Sequence, residues 1–155
     1  MVHGFAPGVL LCLIVGIYSL CVEPVRAALG SDVADVLTDS AEMQGVIKLV
    51  TGEQYDVQEI AAGTGMRVRE YVNRDGLVFA VSWDGPVMPD LRQLLGSHYA
   101  AYTEALSALT HRGLRSVRVA SSELVVESGG HMRAYSGRAY LPILVPPGVP
   151  VAELR

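Results

Sequence analysis

The sequence predicts an α+β fold in which an antiparallel sheet, built from a meander plus a C-terminal hairpin, is covered by one long amphipathic helix. Three observations predict this class. Short segments rich in β-branched and aromatic residues are separated by glycine-containing turns, which is typical of antiparallel strands. A longer segment from Asp90 to Leu109 repeats leucine at helical spacing. Beyond Pro142, further prolines indicate an extended, non-helical tail.

The central hairpin is predicted from Met66–Asn73 and Leu77–Trp83, because Asp75-Gly76 between them supplies positive φ at low cost. A two-residue or four-residue turn places one set of side chains on a common face: Val68, Glu70, Val72, Phe79, Val81 and Trp83. A three-residue loop would shift the pairing by one residue, so that the first-strand side chains of this set would share a face with the other side chains of the second strand. With either of the first two turns, Glu70 lies among apolar neighbours and the opposite face is the wetter one.

The long helix is predicted to begin at Asp90, whose carboxylate can accept hydrogen bonds from early helical amides while Gln93 reaches back, as in a capping box. Pro86 and Pro89 interrupt the chain just before it. The pattern ends at Gly113, a residue type favoured at helix C-termini. One face of this helix is therefore expected to cover the sheet.

A short helix and two strands are predicted ahead of the central hairpin. Ser31–Gln44 is amphipathic, and its early aspartates suit a helix N-terminus. Val46–Thr51 and Tyr55–Ile60 alternate as strands around a glycine-containing turn. Together with the central hairpin, these strands predict a meander.

The C-terminal half is predicted to contain a second hairpin. Its strands are Glu123–Ser128 and His131–Leu141, joined about Gly129-Gly130. The segment before it, Leu114–Ala120, fits either a short strand or the fraying end of the long helix.

Residues 1–27 have the features of a secretory signal peptide: an apolar run from Val9 to Val22, then Val25-Arg26-Ala27 as a cleavage site before Ala28. No lysine or arginine precedes the run, so a retained anchor is the first alternative. Lipid attachment at Cys21 is the second. The domain division expected is a signal peptide over 1–27 and one α+β domain with a proline-rich tail over 28–155.

Cysteine usage and charge exclude several classes of function. Cys12 and Cys21 both lie in the predicted signal peptide, so a cleaved chain has no disulfide, thiol nucleophile or cysteine metal site. The net charge of −4 and the lack of a recognisable nucleic-acid-binding motif argue against DNA or RNA as partners. The histidines show no metal-ligand spacing, so neither a metal nor another cofactor is predicted.

The most suggestive chemical cluster surrounds the second predicted hairpin, because a glycine turn with nearby cations can hold a phosphate or carboxylate. The candidate ligand-binding or partner-binding residues are Gly129, Gly130, His131, Arg133, Tyr135 and Arg138. The glycines lead into a strand and not into a helix N-terminus, so an ordinary hairpin with polar faces is the competing interpretation.

A small hydrolase or transferase built around His131 is the alternative function. Ser128 or Ser136 with His131 and either Asp84 or Asp90 would supply a nucleophile, a base and a carboxylate. The Gly-x-Ser-x-Gly motif of nucleophile elbows is absent from the sequence. No catalytic residue is assigned on this basis.

Four segments also carry a family resemblance: Val68–Val72, Gly76–Pro86, Pro89–Gly96 and Ser128–Tyr140. They resemble an uncharacterised family of exported proteobacterial proteins, domain of unknown function 2844. The resemblance covers nearly all of the chain after residue 27. It implies export and a bacterial source, and it implies no activity and no catalytic residues.

The expected function is that of an exported envelope protein, periplasmic or secreted, acting as a non-catalytic binding or assembly component. Its expected partner is another envelope protein or a small anionic ligand. Membrane contact is expected only through the signal segment, and only if that segment stays uncleaved.

Overall fold

The structure is a computed structural model that describes residues 29–32, 46–109 and 116–155. The predicted signal peptide at 1–27, nearly all of the predicted helix Ser31–Gln44 and the predicted helix end at Gly113 lie outside the described residues. Among the described residues, no helix is long and apolar enough to span a bilayer.

The described residues form a seven-stranded antiparallel sheet, consistent with the predicted α+β class. Its strands are β1 (Val46–Thr51), β2 (Tyr55–Ala61), β3 (Arg67–Asn73), β4 (Val78–Gly85), β5 (Ser116–Ala120), β6 (Val125–His131) and β7 (Ala134–Tyr140). The spatial order is β1-β2-β3-β4-β7-β6-β5, so β4 and β7 join the two halves. The segment before β6 is therefore a strand and not the end of a helix.

The β3–β4 hairpin has the predicted register over most of its length. Val68 pairs with Trp83 and Glu70 pairs with Val81, so these four side chains share a face. Glu70 is buried, at 1% exposure. Val81 is opposite it on β4, but Gln58 is opposite it on β2, so its neighbours are not all apolar as the sequence suggested.

Near the turn of this hairpin the register is that of the three-residue loop, and the prediction that Phe79 shares a face with Val81 is wrong. An irregularity between Tyr71 and Val72 pairs Val72 with Val78. Phe79 consequently packs on the opposite face, with its ring centroid 6.2 Å from that of Tyr71. A bulge adds one residue to a strand and so changes which side chains face the core.

The first face of the sheet carries the larger apolar core. Strand residues of this core include Ile60, Val68, Val81, Trp83, Val126 and Ala139. Leu94, Leu95 and Tyr102 of the helical segment are buried in the same cluster. Leu29 also joins it, and its amide donates to the carbonyl of Leu94.

The helical segment begins as predicted but is not continuous. The amide of Arg92 donates to the Asp90 carboxylate at 2.8 Å, which confirms Asp90 as the N-cap. Helix α1 (Leu91–Leu95) is followed by a 3₁₀ turn over Gly96–His98 and then by α2 (Tyr99–Ala108). Gly96 has φ of 50° and ψ of −123°, outside the α region, and this interrupts the predicted single helix.

The predicted hairpin turn at Gly129-Gly130 is also wrong. Both glycines lie inside β6, and the turn is Met132-Arg133, flanked by the pair His131 and Ala134. Gly130 is needed for close approach of the strands, because a Cβ there would lie 2.3 Å from the carbonyl oxygen of Ala134.

The second face is partly covered by residues 142–155, here called the C-terminal segment. Leu154 and Val149 pack against Tyr71, Phe79 and Ala80 in a second apolar cluster. Polar contacts hold the same segment. The Tyr71 hydroxyl donates to the carbonyl of Arg155 at 2.9 Å, and the Gln54 amide donates to that of Pro147 at 3.1 Å.

The packing of the C-terminal segment predicts a stability difference between two of its residues. Leu154 is 0% exposed, so Leu154→Ala should lower the free energy of unfolding by about 2–5 kcal/mol. Ile143 is 85% exposed, and Ile143→Ala should change it by less than about 0.5 kcal/mol. Urea unfolding followed by tryptophan fluorescence measures both. Equal effects would contradict docking of this segment on the sheet.

A second prediction concerns alkaline pH. Burial raises the pKa of Tyr55, with smaller contributions from Glu153 and Tyr71. The folded chain therefore holds this phenolic proton more tightly than the unfolded chain, whose tyrosine pKa is about 10. This tighter proton binding stabilises the folded chain fully below about pH 10, and the stabilisation is lost as the pH rises through the pKa of Tyr55 in the folded chain. Tyr55→Phe should lose less unfolding free energy than wild type above about pH 10, and identical losses would contradict it.

Candidate functional site

A row of mainly charged side chains crosses the second face of the sheet, with one residue from each strand. In sheet order this charge ladder consists of Lys48, Glu59, Arg69, Ser82, Arg138, Glu127 and Arg118. Each member is directly opposite the next in the strand register, and directly opposite residues share a face. The register of six strand pairs therefore produces the row.

Three of the six neighbouring pairs in the charge ladder form ion pairs. Arg69 Nε lies 2.7 Å from Glu59 Oε2. Glu127 accepts from two guanidinium groups, with Arg138 Nη2 at 2.6 Å and Arg118 Nε at 3.0 Å. The Arg138 side chain is 23% exposed, whereas that of Arg118 is 67% exposed. Arg118 is thus the member most accessible to a ligand among those that contact Glu127.

The centre of the charge ladder has no carboxylate. Ser82 is 1% exposed and stands between Arg69 and Arg138. Its hydroxyl lies 3.3 Å from that of Tyr71. Arg138 also donates to the carbonyl of Val151, which ties the C-terminal segment to the sheet.

Arg69 is held by two carboxylates. Besides Glu59 it binds Asp84 at 3.0 Å, and Asp84 in turn binds Arg67 at 2.9 Å. Burial lowers the pKa of Arg69, but the hydrogen bonds and charges of Glu59 and Asp84 outweigh it, so the pKa lies above its ordinary value. This arginine remains a cation at any physiological pH.

A second row of residues lies beside the charge ladder on the same face, two residues away from it on each of four strands. It runs Asp84, Ser136, Gly129, Ser116, all directly opposite one another. Because Gly129 has no side chain, the row leaves space above the sheet. With the charge ladder and the C-terminal segment, it borders an open cleft of about 800 Å³.

Cations outnumber carboxylates in this cleft. Its lining includes four arginines and two carboxylates: Arg69, Arg118, Arg138, Arg155, Asp84 and Glu127. Adding Glu59 and Arg67, which pair with lining residues, leaves the excess unchanged. The arrangement can therefore bind an anion through guanidinium groups.

The structure does not bring the six sequence-predicted site residues together. Gly129 and Arg138 line the cleft. Arg133 and Tyr135 line a smaller neighbouring depression of about 390 Å³. Gly130 and His131 line neither of these two cavities.

Tyr135 and Arg138 are three positions apart on one strand and so face opposite sides of the sheet. Arg133 is in the turn, with φ of 66°.

The residues proposed for a hydrolase are not arranged as a catalytic triad. Ser136 is directly opposite Asp84, and His131 lies beyond Ser136 on the same face. A triad needs the carboxylate on the far side of the histidine, not beside the serine. Asp84 is also engaged by Arg67 and Arg69. The other carboxylate considered, Asp90, caps helix α1.

No metal centre is formed by the described residues, since they contain no group of three histidine, cysteine or acidic side chains suited to an ion. The residues that sequence reasoning missed are Arg69, Arg118, Glu127 and Ser116. A charged side chain at every second strand position was a visible signal at Arg67 and Arg69. That signal does not reveal which residues of distant strands are opposite each other.

Gly137 and Trp83 separate the cleft from the core. They are directly opposite on β7 and β4, and both line the cleft. A Cβ at Gly137 would lie 2.3 Å from Trp83 Cζ2 and 2.6 Å from the carbonyl oxygen of Glu127. Trp83 is the sole tryptophan of the chain, so its fluorescence reports on this region.

This close contact predicts the effect of adding one methyl group. Gly137→Ala should lower the free energy of unfolding by about 1–3 kcal/mol and shift the emission of Trp83, because the indole must move. Gly63 has no atom within 4 Å of an added Cβ, so Gly63→Ala should change stability by less than about 0.5 kcal/mol. Urea unfolding and emission spectra compare the two. Matching small effects would contradict the packing of Trp83 on Gly137.

Comparison with known proteins identifies a family and no activity. A family model described as "Protein of unknown function (DUF2844)" matches residues 25–154. Searches of curated proteins and of solved structures each found no match. The matched range takes in every described residue except Arg155. The resemblance seen in the sequence is thereby confirmed, and the chain belongs to the DUF2844 family.

Proposed function

We propose that this protein is an exported component of the bacterial envelope that binds a small anionic ligand in the cleft beside the charge ladder, without catalysing a reaction. Residues 1–27 act as its signal peptide, and the domain from residue 28 works in the periplasm or outside the cell. The helical segment Leu91–Ala108 covers the opposite face of the sheet, which leaves the cleft face open to ligands. Support for that placement comes from Leu94 and Tyr102, which are buried in the core of the first face.

The observation that carries this proposal is the excess of guanidinium groups around the cleft. Arg118 and Arg138 flank one carboxylate, that of Glu127, and each retains further N–H donors. A ligand carboxylate or phosphate matches the fork of an arginine and can accept two parallel hydrogen bonds. The anion then replaces water around Arg118, whose side chain is largely exposed.

Space for the ligand comes from the row of small residues. Gly129 and the two serines opposite it, Ser116 and Ser136, extend little above the sheet. Serine hydroxyls can donate to an anion as well as accept from a ligand hydroxyl. The cleft therefore combines charge, hydroxyl donors and room for a small organic acid or phosphate ester.

The arrangement of the polar groups favours binding over catalysis. Each carboxylate that lines the cleft, Asp84 and Glu127, is engaged by two arginines. A general base needs a carboxylate or histidine free to take a proton near the reacting atom. Both carboxylates are instead held in ion pairs, so neither is free to act as a base.

The test is titration of the full chain with inorganic phosphate and, separately, with succinate, followed by Trp83 fluorescence and calorimetry. Arg118→Gln should weaken binding of at least one probe about three- to tenfold, because it removes an exposed charged donor without a buried contact. Glu127→Gln should strengthen binding, since the competing carboxylate is gone.

Arg92→Gln is the matched control, because it makes the same charge change on the helical segment, where Arg92 stacks on Tyr99. It should leave the affinity for both anions unchanged. Absence of saturable binding of either anion would contradict the proposal. Equal losses of affinity in Arg118→Gln and Arg92→Gln would also contradict the proposal, because they would indicate that binding depends on net charge and not on a specific site.

A further inference from the structure

Strand β1 forms an exposed edge of the sheet. In the part of the chain that the structure describes, β1 pairs with β2 alone. Its apolar side chains are unusually accessible: Val46 is 75% exposed, Leu49 is 60% exposed and Val50 is 48% exposed. An edge strand with exposed apolar side chains is a template for another strand, and proteins usually protect such edges with charges, prolines or covering loops.

The exposed apolar side chains lie on both faces of β1. Leu49 shares a face with Ile47, which packs against the main core. Val46 and Val50 share the other face with Lys48. A strand added at this edge would therefore place apolar side chains beside β1 on each face, and its backbone would pair with the β1 groups that point away from β2.

The charge at this edge specifies what an added strand should carry. Lys48 is the last member of the charge ladder at β1, and its neighbour Glu59 is directly opposite it on β2. Glu59 binds Arg69 on its other side at 2.7 Å. The order of charges from β3 to the edge is therefore positive, negative, positive, and an acidic side chain continues the alternation.

We propose that β1 is a docking site for an extended segment of another polypeptide, which adds antiparallel to β1 as a new edge strand. The segment places an aspartate or glutamate opposite Lys48 and apolar residues on either side of that acid. Every strand pair in the described sheet is antiparallel, so this addition continues the existing pattern. The inference is independent of anion binding in the cleft.

A second copy of this chain fits the edge less well. A two-fold axis through Lys48 would set two lysines directly opposite each other, which is unfavourable. An axis through Leu49 would avoid that but would place Lys48 opposite Val50, without an acid. A partner strand with its own acidic residue satisfies both the charge and the apolar contacts.

The probe is a fluorescently labelled, capped peptide, Ser-Val-Val-Glu-Val-Val-Ser, whose symmetry places glutamate opposite Lys48 in either direction. Its control has lysine in place of glutamate. Fluorescence anisotropy with the full chain should show tighter binding of the glutamate peptide by about two- to fivefold. Lys48→Glu should reverse that preference, which a merely hydrophobic contact would not do.

Two lysine substitutions test the location. Leu49→Lys should weaken binding of the glutamate peptide at least tenfold, because it replaces an exposed apolar contact of the edge with a solvated side chain. Ile143→Lys makes the same exchange at an exposed position on the C-terminal segment and should leave binding intact. Equal binding of the two peptides, equal effects of the two substitutions, or no saturable binding would each overturn the proposal. Dimers in sedimentation that Leu49→Lys dissociates would also overturn it, in favour of a second copy.

Discussion

The pairing of β4 with β7 is the constraint on which the rest of this structure depends. The chain leaves the sheet after β4, passes through the helical segment and returns by way of β5, β6 and β7. Among the described strands, only this pairing joins the two groups, and its register sets Ser82 opposite Arg138 and Val81 opposite Ala139. One alignment thus continues both the apolar core on the first face and the row of charges on the second.

The two faces of β4 show why that alignment is specific. A shift of β7 by one residue would place Arg138 on the apolar face of Val81 and Trp83, and it would remove Ala139 from the core. Ion pairs on an exposed surface contribute little, about 0–1 kcal/mol each, so they cannot select the register alone. Burial of Trp83 against Gly137 is the stronger selector, and the charge ladder is a consequence of it.

Features encoded locally were predictable from the sequence. The β1 and β2 strands, the N-cap at Asp90 and most of the β3–β4 register follow from periodicity and capping chemistry within short segments. The errors have local causes too. The bulge in the β3–β4 hairpin is not evident from residue composition. The glycine pair in β6 was misread because glycines can permit close strand approach as readily as they can form a turn.

The candidate site was predictable only in part, because it depends on pairing between distant segments. Sequence reasoning found Gly129 and Arg138 by their proximity to each other in the chain. It could not find Arg69 or Arg118, since neither is near Arg138 in sequence and only the sheet register brings all three to one face. Arginine at alternate strand positions indicates a polar face, but it does not indicate which strands that face combines.

The charge ladder links the cleft with the β1 edge by position, yet the two ends of the ladder are electrostatically separate. Lys48 and Arg118 stand on opposite edge strands, six strand spacings apart, or about 29 Å. The Debye length at physiological ionic strength is about 8 Å, so a charge change at one edge has almost no effect on anion affinity at the other. Between them each carboxylate of the row is already paired with a neighbouring arginine. We therefore expect the proposed anion at Arg118 and the proposed strand at β1 to bind without competing.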